Sequence, residues 1–249
     1  EMCIRDRLLT DENEIERLLA NVGADTLVAF DTETTDVDTQ NARLVGFSFC
    51  FNDEEAYYVP VAHEYLGAPK QVSEKFAAWA ISQIYKGCVI GQNLKYDFKV
   101  VKRNLGLEPP ANFKDTMILA WLMDPSSSVG MDALAKRLYD YDTIKFEDVV
   151  KRGETFASVA LENAVKYAAE DAWITLKFYK SFLNLLDPEL VALAGRHEFP
   201  FILTLFDMER EGIAINQGKM QNLILRNDAK IKALTSEIYE LTGENFNIN

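Results

Sequence analysis

Apolar residues along the first hundred positions fall into short unbroken runs, and between and after these runs they recur every three to four residues. The helical rhythm comes first. Thr10 offers a cap, acids follow at once, and Ile15, Leu18 and Leu19 share a side, which predicts an amphipathic helix ending near Gly23. Runs rich in strand formers at 27–34, 43–51 and 56–61 predict a meander of three strands, with Asn52 and Asp53 turning the chain between the last two. Residues 73–85 predict a helix with Phe76, Trp79, Ala80 and Ile84 on one side. A short strand at 88–90 leads through Gly91, Gln92 and Asn93 into a helix that reaches Asn104 and is stopped by Gly106 and by Pro109 and Pro110. A strand near Phe113, helices at 115–123 and 131–139, an irregular connection at 144–155 and a long helix at 161–186 complete this part. Strands first, then helices interleaved with strands, predict an α/β fold with a mixed central sheet flanked by helices.

Asp187 and Pro188 break the pattern. Beyond them come a helix at 189–211 kinked at Pro200, an extended piece at 212–215 and a helix at 219–241 with Leu223, Ile231, Leu234, Ile238 and Leu241 as its apolar positions. These form a C-terminal helical extension. Residues 1–7 resemble nothing that follows and are read as a candidate leader foreign to the natural protein.

Composition narrows the classes. No apolar run approaches the ~20 residues that span a bilayer, and no signal-peptide core stands at the N-terminus, so a cytoplasmic protein without membrane contact is expected. Cys3, Cys50 and Cys88 are scattered, which indicates neither a disulfide framework nor a zinc site, and the last two are expected as small buried hydrophobes. His63 and His197 lack metal-ligand spacing and are expected to be structural or surface residues. The formal net charge of -13 argues at first against a nucleic-acid partner. Lys95, Lys99, Lys102 and Arg103 nevertheless crowd one stretch against a single acid, Asp97, and form either a local basic wall or a solvated helix face.

The candidate chemistry lies in three stretches. Asp31 and Glu33 are two apart on a predicted strand and so face the same way, where mutual repulsion is relieved by a divalent cation; a strand fraying into an acidic turn with Asp36 and Asp38 is the plainer alternative. Asn93 and Asp97 are four apart and predicted to share a helix face, as are Tyr167 and Asp171, between which small residues allow close packing. An isolated Asp on a helix is usually a cap or a solvated charge, whereas three such stretches in this order are hard to produce by accident.

The stretches Phe30-Asp31-Thr32-Glu33-Thr34, Asn93-Leu94-Lys95-Tyr96-Asp97 and Tyr167-Ala168-Ala169-Glu170-Asp171 resemble the three exonuclease motifs of the DEDD superfamily, with the Tyr167-x3-Asp171 form of its tyrosine branch. More narrowly, the chain is similar to the 3'-5' proofreading domain of bacterial family A DNA polymerases. Stretches at 58–66, 131–135 and 144–147 support this, and 208–216 with the terminal Phe246-Asn247-Ile248-Asn249 resemble the start of the polymerase thumb. The likeness runs from about Leu8 onward. It implies a ribonuclease H-like exonuclease domain over 8–186 and a truncated beginning of the polymerase domain over 187–249, without DNA synthesis of its own.

The resemblance also implies two-metal hydrolysis of phosphodiesters. Oxygen ligands without His or Cys suit two Mg2+ or Mn2+ ions better than zinc. Asp31 would bridge both ions, Glu33 and Asp171 would complete the first site, and Asp97 would serve the second through water. Tyr167 would orient the attacking water, since a phenol of pKa ~10 is a poor base but a good positioner. Thr32, Asn93 and Tyr96 would hold the substrate or the neighbouring carboxylates. Val37 falls where the family places an apolar wedge between the last two bases, commonly the longer leucine. Phe146 matches an aromatic that stacks on bases, and a buried loop anchor explains it nearly as well. The implied partners are the 3' end of single-stranded or frayed DNA and the remainder of a polymerase chain, with the protein monomeric. A tyrosine-branch exoribonuclease shares the same carboxylates and stays open as an alternative, as does an exonuclease fold that only supports a polymerase, although the latter would be marked by lost motif acids.

Overall fold

In the computed structural model, which describes residues 5–248, the apolar runs fold as β1 (Arg5–Leu8), β2 (Leu27–Thr34), β3 (Leu44–Cys50), β4 (Glu55–Pro60), β5 (Cys88–Gly91) and β6 (Phe113–Asp115). They lie side by side in the order β1-β4-β3-β2-β5-β6. The meander is present as β2-β3-β4, antiparallel throughout, while β1, β5 and β6 pair in parallel and make the sheet mixed. β2 lies between β3 and β5, and its Val28, Ala29 and Phe30 are fully buried.

The helices are α1 (Glu12–Leu19), α2 (Glu74–Ile84), α3 (Leu94–Leu105), α4 (Thr116–Met123), α5 (Met131–Tyr139), α6 (Phe146–Val149), α7 (Leu161–Leu185), α8 (Pro188–Leu193), α9 (Phe199–Glu211) and α10 (Gln217–Thr242). Alternation along β2 assigns them to the two faces of the sheet. Phe30 and Thr32 point toward α2 and α3, where Phe30 meets the Tyr85 ring edge-on at 5.9 Å and Thr32 bonds to Asp97. Residues of the other parity point toward α7: Cys50, paired with Ala29, donates its thiol to the Ala172 carbonyl at 3.4 Å. Ala164, Ala168, Ala169 and Ala172 on α7 are fully buried, and their small side chains let this helix lie close across β1 to β5.

Two expectations of local structure need correction, the inner face of α2 and the connection at 144–155. On α2 the buried residues are Ala77, Ala80, Ile81 and Ile84, whereas Trp79 stays 37% exposed and packs on Phe76 at 5.1 Å. The inner face is marked by the two alanines and two isoleucines, and α2 packs there between α1 and α3, while Phe76 is only partly buried. Residues 1–4 of the candidate leader, Cys3 among them, lie outside the described residues, as does Asn249. Arg5, Asp6 and Arg7 belong to β1 and pair in register with Glu55, Ala56 and Tyr57. The connection at 144–155 holds one helical turn, α6.

The first compact unit continues beyond residue 187. Asp187 does start a helix, its carboxylate accepting the Glu189 N–H at 2.8 Å, but Ala194, Phe199, Ile202 and Phe206 join the same core as the sheet, and the unit extends to Arg210. The irregularity expected at Pro200 takes the form of a π-helical turn, Ala194–Glu198, in which Phe199 N–H reaches the Ala194 carbonyl. Proline has no N–H to give the carbonyl four residues back, and one wide turn absorbs the misfit. The second unit, from Glu211, carries α10, which Asn216 caps through its side chain and Gly243 ends at a φ of 71°. None of α10 is buried, its predicted apolar positions included. No helix among the described residues is long and apolar enough to cross a membrane.

Candidate active site

β2 keeps its apolar half beside β5 only as far as the pair Ala29 and Ile90; beyond that its charged half lies at the carboxyl end of two parallel strands, where α/β sheets open a crevice. Asp31 and Glu33 share the face turned to α7, opposite Ser48 and Gly46 of β3, and a bulge between Glu33 and Thr34 ends the regular pairing. α7 supplies Asp171 from the other side. One carboxylate oxygen from each of Asp31, Glu33 and Asp171 lies within 4.8 Å of the others. They line a cavity of about 550 Å3 together with Tyr167, Tyr96 and Phe146.

Such a cluster is costly as charge. Burial pushes the Asp31 carboxyl up to about 7. Glu33 is raised by burial and then by Asp31, Asp171 and Asp97; Asp171 by burial and then by Asp31, Glu170 and Asp132, with the Tyr167 phenol pulling the other way. Burial likewise raises the Tyr167 phenol, reinforced by Asp171, Glu33 and Asp31, so it enters as a neutral hydroxyl. Glu33 Oε1 is buried and accepts no hydrogen bond from the protein. An acceptor buried without a donor among repelling carboxylates has the chemistry of a cation ligand, and the all-oxygen set fits a hard divalent ion.

Asp97 stands behind this group of three. Its Oδ1 accepts both the Thr32 N–H at 3.0 Å and the Thr32 hydroxyl at 2.6 Å, and it is raised by burial and then by Asp31, with those hydrogen bonds opposing. Thr32 is thus bonded to Asp97 through both its N–H and its hydroxyl, and it also lines the carboxylate cavity. Tyr96 donates to the Asp36 carbonyl at 2.7 Å and shares a 2.5 Å hydrogen bond with Thr34 Oγ1, which pins the loop that follows β2. Burial lifts its phenol to about 12. On that loop Val37 lies 90% exposed at the cavity rim. Phe146 is 49% exposed, edge-on to Tyr167 at 6.4 Å, so it is not a buried anchor.

Asn93 departs from its expected place. It precedes α3 as a left-handed cap with φ 66°, so its spacing to Asp97 does not put the two on one helix face, and its side chain is exposed. What fixes the entry to α3 is Asp115, which accepts the N–H groups of Asn93 at 3.2 Å and Leu94 at 2.8 Å. Nothing in the local pattern singles out Asp115 from an ordinary cap. Glu170 is another residue without a predicted role: it accepts from the Tyr141 hydroxyl at 2.5 Å and the Ile144 N–H at 2.7 Å, tying the chain just ahead of Phe146 to α7. Its place beside Asp171 is the only signal for it. Glu154 and Thr155, also unforeseen, line the cavity as well. His63 is structural, as its spacing suggests: its ring bonds the Tyr58 hydroxyl at 2.6 Å and the Val159 carbonyl at 2.9 Å, and burial lowers it to about 4. Cys50 and Cys88 are buried free thiols.

Comparison with known proteins agrees with this geometry. A family model described as 3'-5' exonuclease matches residues 7–187. DNA polymerase I of Borreliella burgdorferi is 30% identical over 249 residues, covering 99% of this chain and 27% of that protein, and DNA polymerase I of Pseudomonas aeruginosa is 34% identical over 234 residues, covering 89% and 25%. The chain thus spans about a quarter of the length of these relatives. Among solved structures, the POL domain of Pol1 from M. smegmatis in complex with DNA primer-template and dNTP aligns with a TM-score of 0.73 over 97% of this chain and 38% of that one. Brucella melitensis NrnC with bound Mg2+ aligns at 0.59 over 85% and 95%, and Escherichia coli RNase D, an exoribonuclease, at 0.56 over 85% and 52%. Each of the three is 18% identical and speaks for the ribonuclease H-like fold alone.

Proposed function

The chain belongs to the 3'-5' exonuclease family of DNA polymerase I, and from that membership we propose that it removes nucleoside monophosphates from single-stranded or frayed DNA 3' ends by two-metal-ion hydrolysis, as the proofreading part of a polymerase. The observation that carries this reading is the convergence of Asp31, Glu33 and Asp171, one of which, Glu33, has a buried oxygen, Oε1, without a hydrogen-bond donor. Asp31, Glu33 and Asp171 would hold the ions, Asp31 bridging, with Asp97 acting on the second through water. Two bound Mg2+ or Mn2+ ions would supply positive charge to the attacking and leaving oxygens of an in-line displacement.

The protein groups do the rest. Tyr167, neutral and set against Asp171, orients the attacking water. That water's oxygen bonds to phosphorus as the P–O3' bond breaks, and a proton passes to the departing oxygen, leaving a new 3'-hydroxyl on the strand and a free 5'-monophosphate. Tyr96 and Thr34 hold the loop that presents Val37 at the rim, where it would part the last two bases, and the exposed Phe146 ring offers a surface for one of them. Asp97 fixes Thr32, and through it the strand that carries both Asp31 and Glu33.

A 5'-labelled DNA single strand with Mg2+ should shorten from its 3' end one nucleotide at a time, faster than the same strand in a matched duplex. A matched RNA strand in parallel separates proofreading from RNA trimming: loss of RNA at an equal or greater rate would overturn the DNA assignment, and no shortening of either would overturn the activity.

Metal should also stabilise the fold, and more so at high pH. Asp31, Glu33, Asp97 and Asp171 all have raised folded-state values, so between about pH 4, where the unfolded carboxylates lose their protons, and about 7, where Asp31 loses its own, the unfolded state binds fewer protons and stability falls as pH rises. Above that window Asp31 at least carries its charge among the other carboxylates, and cations offset the penalty by binding only the folded state, worth ~2.7 kcal/mol at a hundredfold excess over Kd. Thermal melts with and without Mn2+ should differ more at pH 8 than at pH 5. Equal shifts at both would mean that the carboxylates do not hold the ion.

A further inference from the structure

Cations gather on a second hollow outside the carboxylate cavity. Lys99, Lys102 and Arg103 follow the i, i+3, i+4 spacing on α3 and, with Arg210 from the end of α9, line a cavity of about 290 Å3 whose other walls include Phe206 and Gln40. In a chain of net charge -13 this is a local reversal of sign. Part of it is internally offset. Lys95 and Lys99 both reach Glu209, Lys102 pairs with Glu108, and Arg210 lies 3.3 Å from Asp207 and 5.7 Å over the Phe206 ring. Arg103 is exposed and enters no ion pair among the described residues.

The position of the hollow says what it would meet. Gln40 belongs to the loop after β2, and Asp36 and Val37 of that same loop line the carboxylate cavity, so one loop forms the ridge between the two hollows. The ridge is firmly built: Tyr96 holds the Asp36 carbonyl, and the Asp38 carboxylate accepts the Gln40 N–H at 2.9 Å and the Asn41 amide at 2.8 Å. No aromatic face is open in the basic hollow, since Phe206 is 2% exposed and lies under Arg210. Guanidinium and ammonium groups pair with phosphate oxygens whatever the sequence, and without an aromatic platform beside them the hollow favours the backbone over stacked bases.

We infer that the α3–α9 hollow binds backbone phosphates of the nucleic-acid strand whose 3' end lies across the ridge in the carboxylate cavity. This rests on the exonuclease reading for the strand's polarity. Binding there is sequence-independent, reaches only strands long enough to cross the ridge, and is salt-sensitive, each phosphate contact contributing ~0.7 to the slope of log affinity against log salt.

The test measures fluorescence anisotropy of a labelled oligothymidylate in chelator, so that nothing is cut, across a salt titration, for the wild type, Arg103→Gln and Arg103→Lys. Arg103 is exposed and without an ion pair among the described residues, so neither variant threatens the fold. Arg103→Gln should bind the long strand several-fold more weakly with a slope lower by ~0.7 to 1, Arg103→Lys should retain most of both, and hydrolysis of a dinucleotide with Mg2+ should match the wild type for either. An unchanged slope and affinity in Arg103→Gln would overturn the inference. So would an equal loss on the dinucleotide, or a slope difference reproduced by competition with inorganic phosphate alone, which would make the hollow a free-anion site. Because the binding arm needs no cleavage, a wild type that cuts nothing would refute the exonuclease reading while this result still stood or fell separately.

Discussion

Asp31→Ala should reduce the single-strand exonuclease rate at least about a hundredfold, the loss expected when a ~2.7 kcal/mol electrostatic stabiliser is removed. It should do so while the metal-free fold becomes no less stable. Asp31 contributes charge to the buried Glu33, Asp97 and Asp171 and raises the pKa of all three, so deleting it relieves repulsion in the empty cluster. The same deletion takes from the proposed site the one carboxylate that would serve both ions. Activity and stability should therefore move in opposite directions, a pattern that a merely structural Asp31 could not give, because its loss would lower both. Melting curves at pH 8 without metal, run beside rate measurements in Mg2+, read the two together. Retention of more than about a hundredth of the rate would make the bridging role untenable.

How far the sequence discloses this site depends on how local each signal is. The strand carrying Asp31 and Glu33 is legible because its apolar half and its charged half are contiguous, and a period of two fixes which carboxylates share a face. Tyr167 and Asp171 are legible because they sit within one uninterrupted helix, where four-residue spacing means proximity. The same rule fails at Asn93, which a left-handed turn places before α3: asparagine adopts that conformation more readily than most residues, and four-residue spacing means proximity only inside a helix. Asp97 and Thr32 are each visible as motif residues, but their mutual hydrogen bonds join positions 65 residues apart and require the folded sheet to be seen. The reach of the first compact unit is hidden for a related reason. Asp187 and Pro188 carry a strong local break, whereas the packing of Phe199 against Phe113 at 6.3 Å, which keeps α9 with the sheet, is a long-range contact without local trace. Trp79 shows the converse error: size suggests burial, yet the ring stays 37% exposed while Ala77, Ala80, Ile81 and Ile84 fill the inner face, since so large a side chain is rarely buried whole.

The roles around the attacking water should separate most clearly in Tyr167→Phe compared with Asp171→Asn. The Tyr167 ring packs against Phe156 at 5.7 Å and Phe146 at 6.4 Å, and phenylalanine keeps both contacts while losing only the hydroxyl. Metal affinity should then survive while turnover falls, roughly 10- to 1,000-fold by comparison with other positioned groups. Asp171→Asn instead removes a charge from the group of three carboxylates whose oxygens meet within 4.8 Å, leaving Asp31 and Glu33 to hold the ion. Part of its defect should return at high metal concentration or with Mn2+, which binds nitrogen and oxygen donors more tightly than Mg2+ and accepts an imperfect cage. A metal titration of the single-strand rate for both variants, with calorimetry of metal binding alongside, decides the assignment. Rescue of Tyr167→Phe by metal, or loss of its metal binding, would place the phenol in the ion's own shell, and the water-orienting role would have to pass to a carboxylate. Failure of metal to recover any activity in Asp171→Asn, with metal binding intact, would show that carboxylate acting on the water and not on the ion.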